Sequence, residues 1–317
     1  MVATPMNETG KLHALLSTAR VANVPSVVSN VGAGVVLGFL TAADSGKRTL
    51  GAPWSLALIL AVAGVLLYIG GNFFNDWMDR RWDAVHRPER ALPRGLFPPV
   101  WYLGLAGCLL ASGTGLAWAA NAKSGLVAAG IVLSITIYTR WHKQTQWAVV
   151  PMGVCRALLP VMGFLAIYPY IDRVWPVACA LFCYIIGLSL SARYESMNEP
   201  PKRVAVMARG LLLLAVVLVA LGNRGLFLDR LASIGGTFPY LVWTGFCLRV
   251  WRQPVPKLVS GLLAGIPLLD WMVMLPVAVT MMNDSREGFG AVAVASAVAP
   301  PLAFISALLL QRLAPAT

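Results

Sequence analysis

The chain has 317 residues, of which 58% are hydrophobic and only 12% charged, and its formal net charge is +12. Soluble domains carry about a quarter charged residues, so this deficit excludes an ordinary soluble protein. Apolar runs of about 20 residues from end to end predict an all-α, polytopic transmembrane helical bundle. The basic excess marks cytoplasmic loops and anionic headgroup contacts in such a protein, not a nucleic-acid partner.

Residues 1–20 are polar and mixed, and they lack the short apolar core and small-residue cleavage site of a secretory leader. They read as a cytoplasmic N-terminal segment of a single transmembrane domain spanning 1–317. Apolar segments follow near 21–43, 53–77, 98–119, 124–140, 147–169, 174–196, 203–222, 231–251, 258–282 and 289–312. That gives nine to ten membrane-spanning helices, with 231–251 the weakest in composition. With the N-terminus inside, 16 Lys and Arg residues fall in cytoplasmic loops and 7 on the opposite side. This bias predicts a multi-pass protein of the cell membrane with its polar loops facing the cytoplasm. The five cysteines (Cys108, Cys155, Cys179, Cys183 and Cys247) all lie in apolar segments. None has the paired loop spacing of a metal or disulfide framework, so they read as small buried hydrophobes.

The end of the second span carries NFFNDWMDRRWDAVHRPERALPRG, residues 72–95. At about 100° per residue, Asn72, Asn75, Asp76, Asp79 and Asp83 share an arc of about 100° on one helix face. Phe73, Phe74, Trp77 and Trp82 cover much of the remainder. A carboxylate stripe on a membrane helix is unfavourable unless it faces a cavity or partner cations. Oxygen donors without histidine or thiolate suit a hard cation such as Mg²⁺, which binds through a few carboxylates plus substrate phosphates. The competing reading is a solvated helix end whose acids pair with Arg80, Arg81 and Arg87.

After the fourth span, YTRWHKQTQW (138–147) sets Arg140, His142 and Lys143 where an anionic phosphate needs fixed cations, or where ordinary headgroup anchoring would put them. Arg156 lies inside the fifth span. An unpaired arginine in lipid is costly, so it is either a ligand contact or a structural ion pair. After the sixth span, SARYESMNEPPKR (191–203) places Glu195, Asn198 and Glu199 on one face before Pro200 and Pro201 stop the helix. Asp270, in the middle of the ninth segment, is expected to pair with a buried cation such as Arg209.

Asn75-x-x-x-Asp79-x-x-x-Asp83 resembles the first acidic motif of the UbiA superfamily of intramembrane prenyltransferases. ERALPRG (89–95) is similar to that family's NRPLPSG loop, with Arg90, Leu92, Pro93 and Gly95 in matching places. Tyr138-x-x-x-His142-Lys143-x-Thr145 resembles its Tyr-x-x-x-Lys-Arg-x-Thr stretch. Glu195 and Glu199 stand where the family has an aspartate-rich second motif, a pattern similar to the divergent EboC-like branch.

The resemblance implies Mg²⁺-dependent transfer of an isoprenyl group from a polyprenyl diphosphate donor to an aromatic or lipid acceptor that the sequence does not identify. On that scheme Asn75, Asp76, Asp79 and Asp83 hold one Mg²⁺, and Glu195 and Glu199 a second. Asp79, Asp83, Arg90 and Lys143 carry catalysis, while Arg87, Arg140, His142 and Arg156 contact the bound diphosphate group. Membrane lipids are the surrounding partners, and no nucleic acid is implied. Three other readings stand beside it. An ion-coupled transporter is favoured by Asp270 alone, and no internal repeat supports it. A CDP-alcohol phosphotransferase needs a Gly and an Ala-Arg that DWMDRRWDA lacks. A catalytically weak, lipid-binding relative remains compatible with the altered second motif.

Overall fold

A computed structural model describes residues 8–46, 52–193, 201–226 and 228–314. All regular structure among them is helical: α1 (Glu8–Ala19), α2 (Val24–Asp44), α3 (Trp54–His86), α4 (Pro99–Ala120), α5 (Ala122–Trp141), α6 (Val149–Leu165), α7 (Trp175–Ala192), α8 (Lys202–Gly225), α9 (Arg230–Arg249), α10 (Val255–Ala264), α11 (Ile266–Met282) and α12 (Phe289–Leu310). Ten stretches among these residues are long and apolar enough to cross a membrane, in register with the ten expected segments, α9 included.

Two elements depart from the expectation. The polar N-terminal segment contains α1, whose Ala14, Leu15 and Ala19 pack with Phe73 and Tyr102, while Thr18 Oγ1 lies 3.1 Å from the Tyr102 hydroxyl. Leu12 and Leu16 face outward on the same helix, so its apolar periodicity is blurred in the sequence. The segment at 258–282 is two helices, broken at Gly265. Pro267 has no N–H to return to the carbonyl four residues back. At the end of α10 the Gly265 N–H donates to the carbonyls of Gly261 (3.0 Å) and Leu262 (3.1 Å), and side chains add a second hydrogen bond to each: Tyr184 OH donates to Leu262 O at 2.7 Å and Trp243 Nε1 to Gly261 O at 2.8 Å.

Helix α2 sits inside the bundle against α3, α6, α11 and α12. In α2 and in the α10–α11 pair, 78% of the apolar window is buried, against 17% in α4 and 22% in α8, which therefore form the lipid-facing outside. Leu103, Trp118, Leu213 and Val217 are exposed there, as hydrocarbon contact requires. Helices α2 and α6 meet backbone to backbone. A Cβ at Gly34 would overlap the Pro160 carbonyl oxygen, and one at Gly163 the Val31 carbonyl oxygen. Small residues permit such close approach between membrane helices.

At the end of α2 far from the acidic stripe, Asp44 joins Arg173 (3.3 Å) and Arg286 (3.0 Å), linking the loops that follow α6 and α11. The hydrogen bond from Arg286 holds the Asp284 carboxyl below its ordinary value. These groups are partly solvated, and exposed pairs contribute at most about 1 kcal/mol. Asp44→Ala is expected to lower unfolding free energy in detergent by less than about 1 kcal/mol; a much larger loss would show that the network clamps the bundle.

Candidate active site

Helix α3 runs unbroken to His86, so the stripe at its end keeps a true helical register. Asp76, Asp79 and Asp83 are 9%, 8% and 1% exposed, which means that each carboxylate needs a partner. The partners come from two loops. After α3 the chain turns back through 87–95, with Gly95 at φ +68, and Arg90 Nη1 reaches Asp83 (2.9 Å) and Asp76 (3.2 Å). From the loop after α5, His142 Nε2 and Lys143 Nζ each approach Asp79 Oδ2 at 3.1 Å, and Lys143 stands 3.8 Å from Asp83 Oδ1. Lys143 Nζ also lies 3.4 Å from the centre of the Trp82 ring, which adds a cation–π contact.

These pairs differ from the reading in which the stripe pairs with Arg80, Arg81 and Arg87, the last of which lines the cavity beside the stripe. Arg80 donates to Trp77 O at 2.7 Å and stacks over the Trp77 ring, and Arg81 is exposed. One and two residues on from Asp79, they project to other sides of the helix.

Beside the stripe lies a cavity of about 880 Å³. One end is polar and cationic, lined by Arg20, Asn72, Asn75, Arg87, His142, Lys143 and Arg193, with Trp82 and Tyr138 beside them. Its body is apolar, with Leu67, Ile131, Ile135, Leu159, Ile185 and Leu188 among its walls. Among the described lining residues none is Asp or Glu while Arg20, Arg87, Lys143 and Arg193 are cationic, which suits this end of the cavity to an anionic guest. Arg193 Nη1 donates to Thr145 O (2.9 Å) and His142 O (3.3 Å), which fixes the basic loop against the end of α7.

Most of the expected site residues converge here. Asn75, Arg87, His142, Lys143 and Arg156 line the cavity, and Asp76, Asp79, Asp83 and Arg90 form the buried ion-pair group at its polar end. Arg140 does not join them; it is exposed and outside the lining, on a different face of α5 from Thr139. Glu195 and Glu199 lie outside the described residues. Asp270 does not pair with Arg209, which is exposed on α8. Its oxygens accept instead from Ser29 Oγ (2.5 Å) and from Asn30 Nδ2 (2.8 and 2.9 Å), because α11 packs against α2 and turns Asp270 into the core.

Arg20 is a residue that sequence reading passed over as an ordinary basic flank. It adopts a left-handed conformation, φ 48 and ψ 50, which costs about 1–3 kcal/mol for a non-glycine residue and persists only when its surroundings impose it. Tyr68 OH donates to its carbonyl (3.4 Å) and its Nη1 donates to Asn72 Oδ1 (3.3 Å), while Asn72 Nδ2 returns to Ala19 O (3.2 Å). Asn23, Ser26 and Asn30 on the first span were also passed over. Their spacing of three and four residues on one face of an apolar helix was the available signal.

Whether these residues suit a divalent cation is a question of donors. The stripe offers only oxygens, and Asp83 Oδ1 is buried and accepts no hydrogen bond. That chemistry fits a hard ion. Among the described residues no three His, Cys, Asp or Glu side chains are grouped to enclose one; Arg90 and Lys143 pair with the carboxylates, and His142 Nε2 lies within hydrogen-bond distance of Asp79.

A family model described as "UbiA prenyltransferase family" matches residues 33–271. Protoheme IX farnesyltransferase of Aliivibrio salmonicida is 29% identical over 189 residues, 56% of this chain and 63% of that one. Digeranylgeranylglyceryl phosphate synthase of Methanothrix thermoacetophila is 45% identical over 60 residues, 17% and 22% of the two chains. The chain thus spans less than two thirds of the length of either relative. The synthase of the same description from Halobacterium salinarum is 28% identical over 241 residues, 74% and 80%. Among solved structures, a UbiA homologue from Aeropyrum pernix K1 superposes with a TM-score of 0.57 at 13% identity, covering 91% of this chain and 98% of that one. One from Archaeoglobus fulgidus bound to DMAPP and Mg²⁺ gives 0.50 at 14% identity, covering 94% and 99%. At those identities the structural likeness concerns the fold.

Proposed function

The chain belongs to the UbiA prenyltransferase family, and from that premise we propose that it is a Mg²⁺-dependent membrane prenyltransferase. It transfers an isoprenyl group from a polyprenyl diphosphate to a lipid or aromatic acceptor. One observation carries the reading: a single cavity joins a cationic end, next to three buried aspartates, to an apolar body. Those are the two halves of a prenyl diphosphate. The A. fulgidus homologue bound to DMAPP and Mg²⁺ supports the same donor class.

In this scheme Asp79 and Asp83, with Asn75 and Asp76, would hold one ion, and Glu195 and Glu199 a second. Bound Mg²⁺ supplies positive charge to the diphosphate oxygens as a leaving group. Arg20, Arg87, His142, Lys143 and Arg193 bind and orient the diphosphate from the cavity's cationic end. Arg90 keeps Asp76 and Asp83 aligned. The allylic C–O bond breaks with its electron pair leaving on the diphosphate, the acceptor's nucleophile bonds to the freed carbon, and the acceptor sheds a proton. The apolar walls exclude water from the carbocation, and the Tyr138 ring on the cavity wall is the aromatic group set to stabilise its charge. The excess of basic residues in the loops on this side supports a cytoplasmic orientation for this end of the cavity.

The test uses the full chain in liposomes with Mg²⁺ and prenyl diphosphates of short and long chain, supplied with a membrane lipid extract. Release of diphosphate, with a product heavier by one isoprenyl chain in mass spectrometry, is expected. Absence of both donor binding and diphosphate release across the series would overturn the assignment. A Lys143→Ala variant is expected to weaken donor binding by roughly tenfold to a hundredfold, since it removes a charge-assisted contact worth about 1.5–3 kcal/mol.

A further inference from the structure

Helices α9 and α12 both pack on α11, and between them runs a second hollow, a groove of about 590 Å³. Val242 and Phe246 of α9 and Pro301 and Ile305 of α12 form its walls, and Leu268 and Trp271 of α11 its floor. Val242 and Ile305 are exposed, so the groove opens to the lipid side. Among the described residues, those that line it are all apolar. Trp243 and Trp271 spend their indole N–H groups on backbone, Gly261 O at 2.8 Å and Ala297 O at 2.9 Å, and so offer the groove no donor. The groove shares no lining residue with the large cavity. Helix α10 stands between them, with Val259 and Leu263 on the cavity wall and its Gly261 carbonyl held by Trp243.

One end of the groove is cationic. The Phe246 ring centre lies 5.3 Å from that of Trp251, and Lys257 Nζ lies 5.0 Å from the centre of the Trp251 ring. Arg249 follows Phe246 by three residues on the same side of α9. Gln311 Nε2 donates to Ser260 O at 2.9 Å, which ties the end of α12, and Arg312 after it, to the helix that carries Lys257. Arg249, Lys257 and Arg312 are all exposed. Residues 230–264 and 289–312 contain no Asp or Glu, so the elements that carry these charges do not compensate them. The order of spans puts this end at the membrane face where the acidic stripe of α3 ends. Scattered basic loops would satisfy the positive-inside tendency; here the cations stand at the head of an apolar trough, and aromatic rings lead from one to the other.

We propose that this groove binds one anionic phospholipid of the adjoining leaflet, with an acyl chain in the trough between α9 and α12 and the headgroup phosphate at Arg249, Lys257 and Arg312. Charge complementarity selects the occupant. A neutral lipid fills the trough but leaves the cations unmatched, and a soluble phosphate matches the cations but leaves the trough empty. A second copy of this chain, with a net charge of +12 and the same basic residues at this face, meets the site with like charge.

The experiment is native mass spectrometry of the full chain in detergent, offered equal amounts of palmitoyl-oleoyl phosphatidylglycerol and phosphatidylcholine, which share chains and differ in charge. The parent is expected to retain one phosphatidylglycerol with a preference of about tenfold, as three basic side chains beside an anionic headgroup allow. Arg249→Gln combined with Lys257→Gln is expected to bring the preference to within about twofold. Lys202→Gln combined with Arg203→Gln, exposed at the start of α8 on the same membrane face, is expected to leave it unchanged. Val242→Trp fills the trough and is expected to lower retention of both lipids severalfold, while millimolar glycerol 1-phosphate is expected not to displace the bound lipid. The proposal is overturned by a parent without preference, or by a preference undiminished in the Arg249 and Lys257 variant. An equal loss in the Lys202 and Arg203 variant, retention untouched by Val242→Trp, or displacement by glycerol 1-phosphate overturns it as well. A parent dimer that Val242→Trp splits puts a second copy in the groove and has the same consequence. Should the double variant fail to fold, Arg249→Gln alone is expected to lower the preference severalfold, and an unchanged value overturns the proposal equally.

Discussion

Asp83→Ala is expected to abolish Mg²⁺-dependent binding of a prenyl diphosphate and to lower the protein's thermal stability in the same sample. Asp83 is the most deeply buried acid of the stripe, at 1% exposure, and it faces Arg90 at 2.9 Å and Lys143 at 3.8 Å. Removing one member of a buried, hydrogen-bonded charge pair costs about 2–5 kcal/mol, much of it from the charge left behind. Here Arg90 keeps Asp76 and Lys143 keeps Asp79, so the chain is expected to fold and the stability loss to fall at the lower end. The loss of ligand binding is not cushioned in that way, because the carboxylate with the free Oδ1 has gone. Titration of geranyl diphosphate with and without Mg²⁺ is the measurement. Binding that survives in Asp83→Ala at the parent's strength would remove the stripe from the site.

Gly34→Val is expected to separate α2 from α6 and cost the most stability of any substitution considered. The Pro160 carbonyl occupies the space that a side chain would need, and it belongs to backbone, which does not rotate aside. Overpacking a tight core costs about 1–3 kcal/mol, and more where backbone must move. Gly163→Val strikes the same seam from α6 through the Val31 carbonyl, and the double variant is expected to cost less than the sum of the two, since one separation relieves both clashes. Thermal unfolding in detergent reads the loss. The same variants are expected to break the 2.6 Å contact between Arg156 and Ser26, which spans these helices. A Gly34→Val protein as stable as the parent would mean that the seam is not closed in the membrane.

Much of the fold was legible in the sequence because hydrocarbon imposes a simple rule: apolar stretches of the right length become spans. The acidic stripe was legible for a related reason, since a period of 3.6 carries Asn72, Asp76, Asp79 and Asp83 to one side whatever packs against it. What the stripe pairs with was not. His142 reaches Asp79 across 63 positions of sequence, and only the loop's placement decides between that contact and a headgroup. Arg20 escaped notice because a basic residue before a first span is what the positive-inside tendency already expects; its left-handed backbone has no signature in composition. Asp270 and Arg156 were both recognisable as costly, yet their partners, Asn30 and Ser26, depend on how α2 is rotated, and that rotation is set by the glycine seam with α6. The break at Gly265 was hidden inside a stretch whose hydropathy is uniform.

Helix α3 has 33 residues, about 50 Å at 1.5 Å each, against a hydrocarbon slab of about 30 Å. Its last turns therefore stand clear of the oil, and they are the turns that carry Asp79 and Asp83. A prenyl diphosphate gripped there keeps its doubly ionised head among the phospholipid headgroups while only the greasy chain descends. On the proposed function, a donor bound at these turns would enter from the leaflet at whose surface they end.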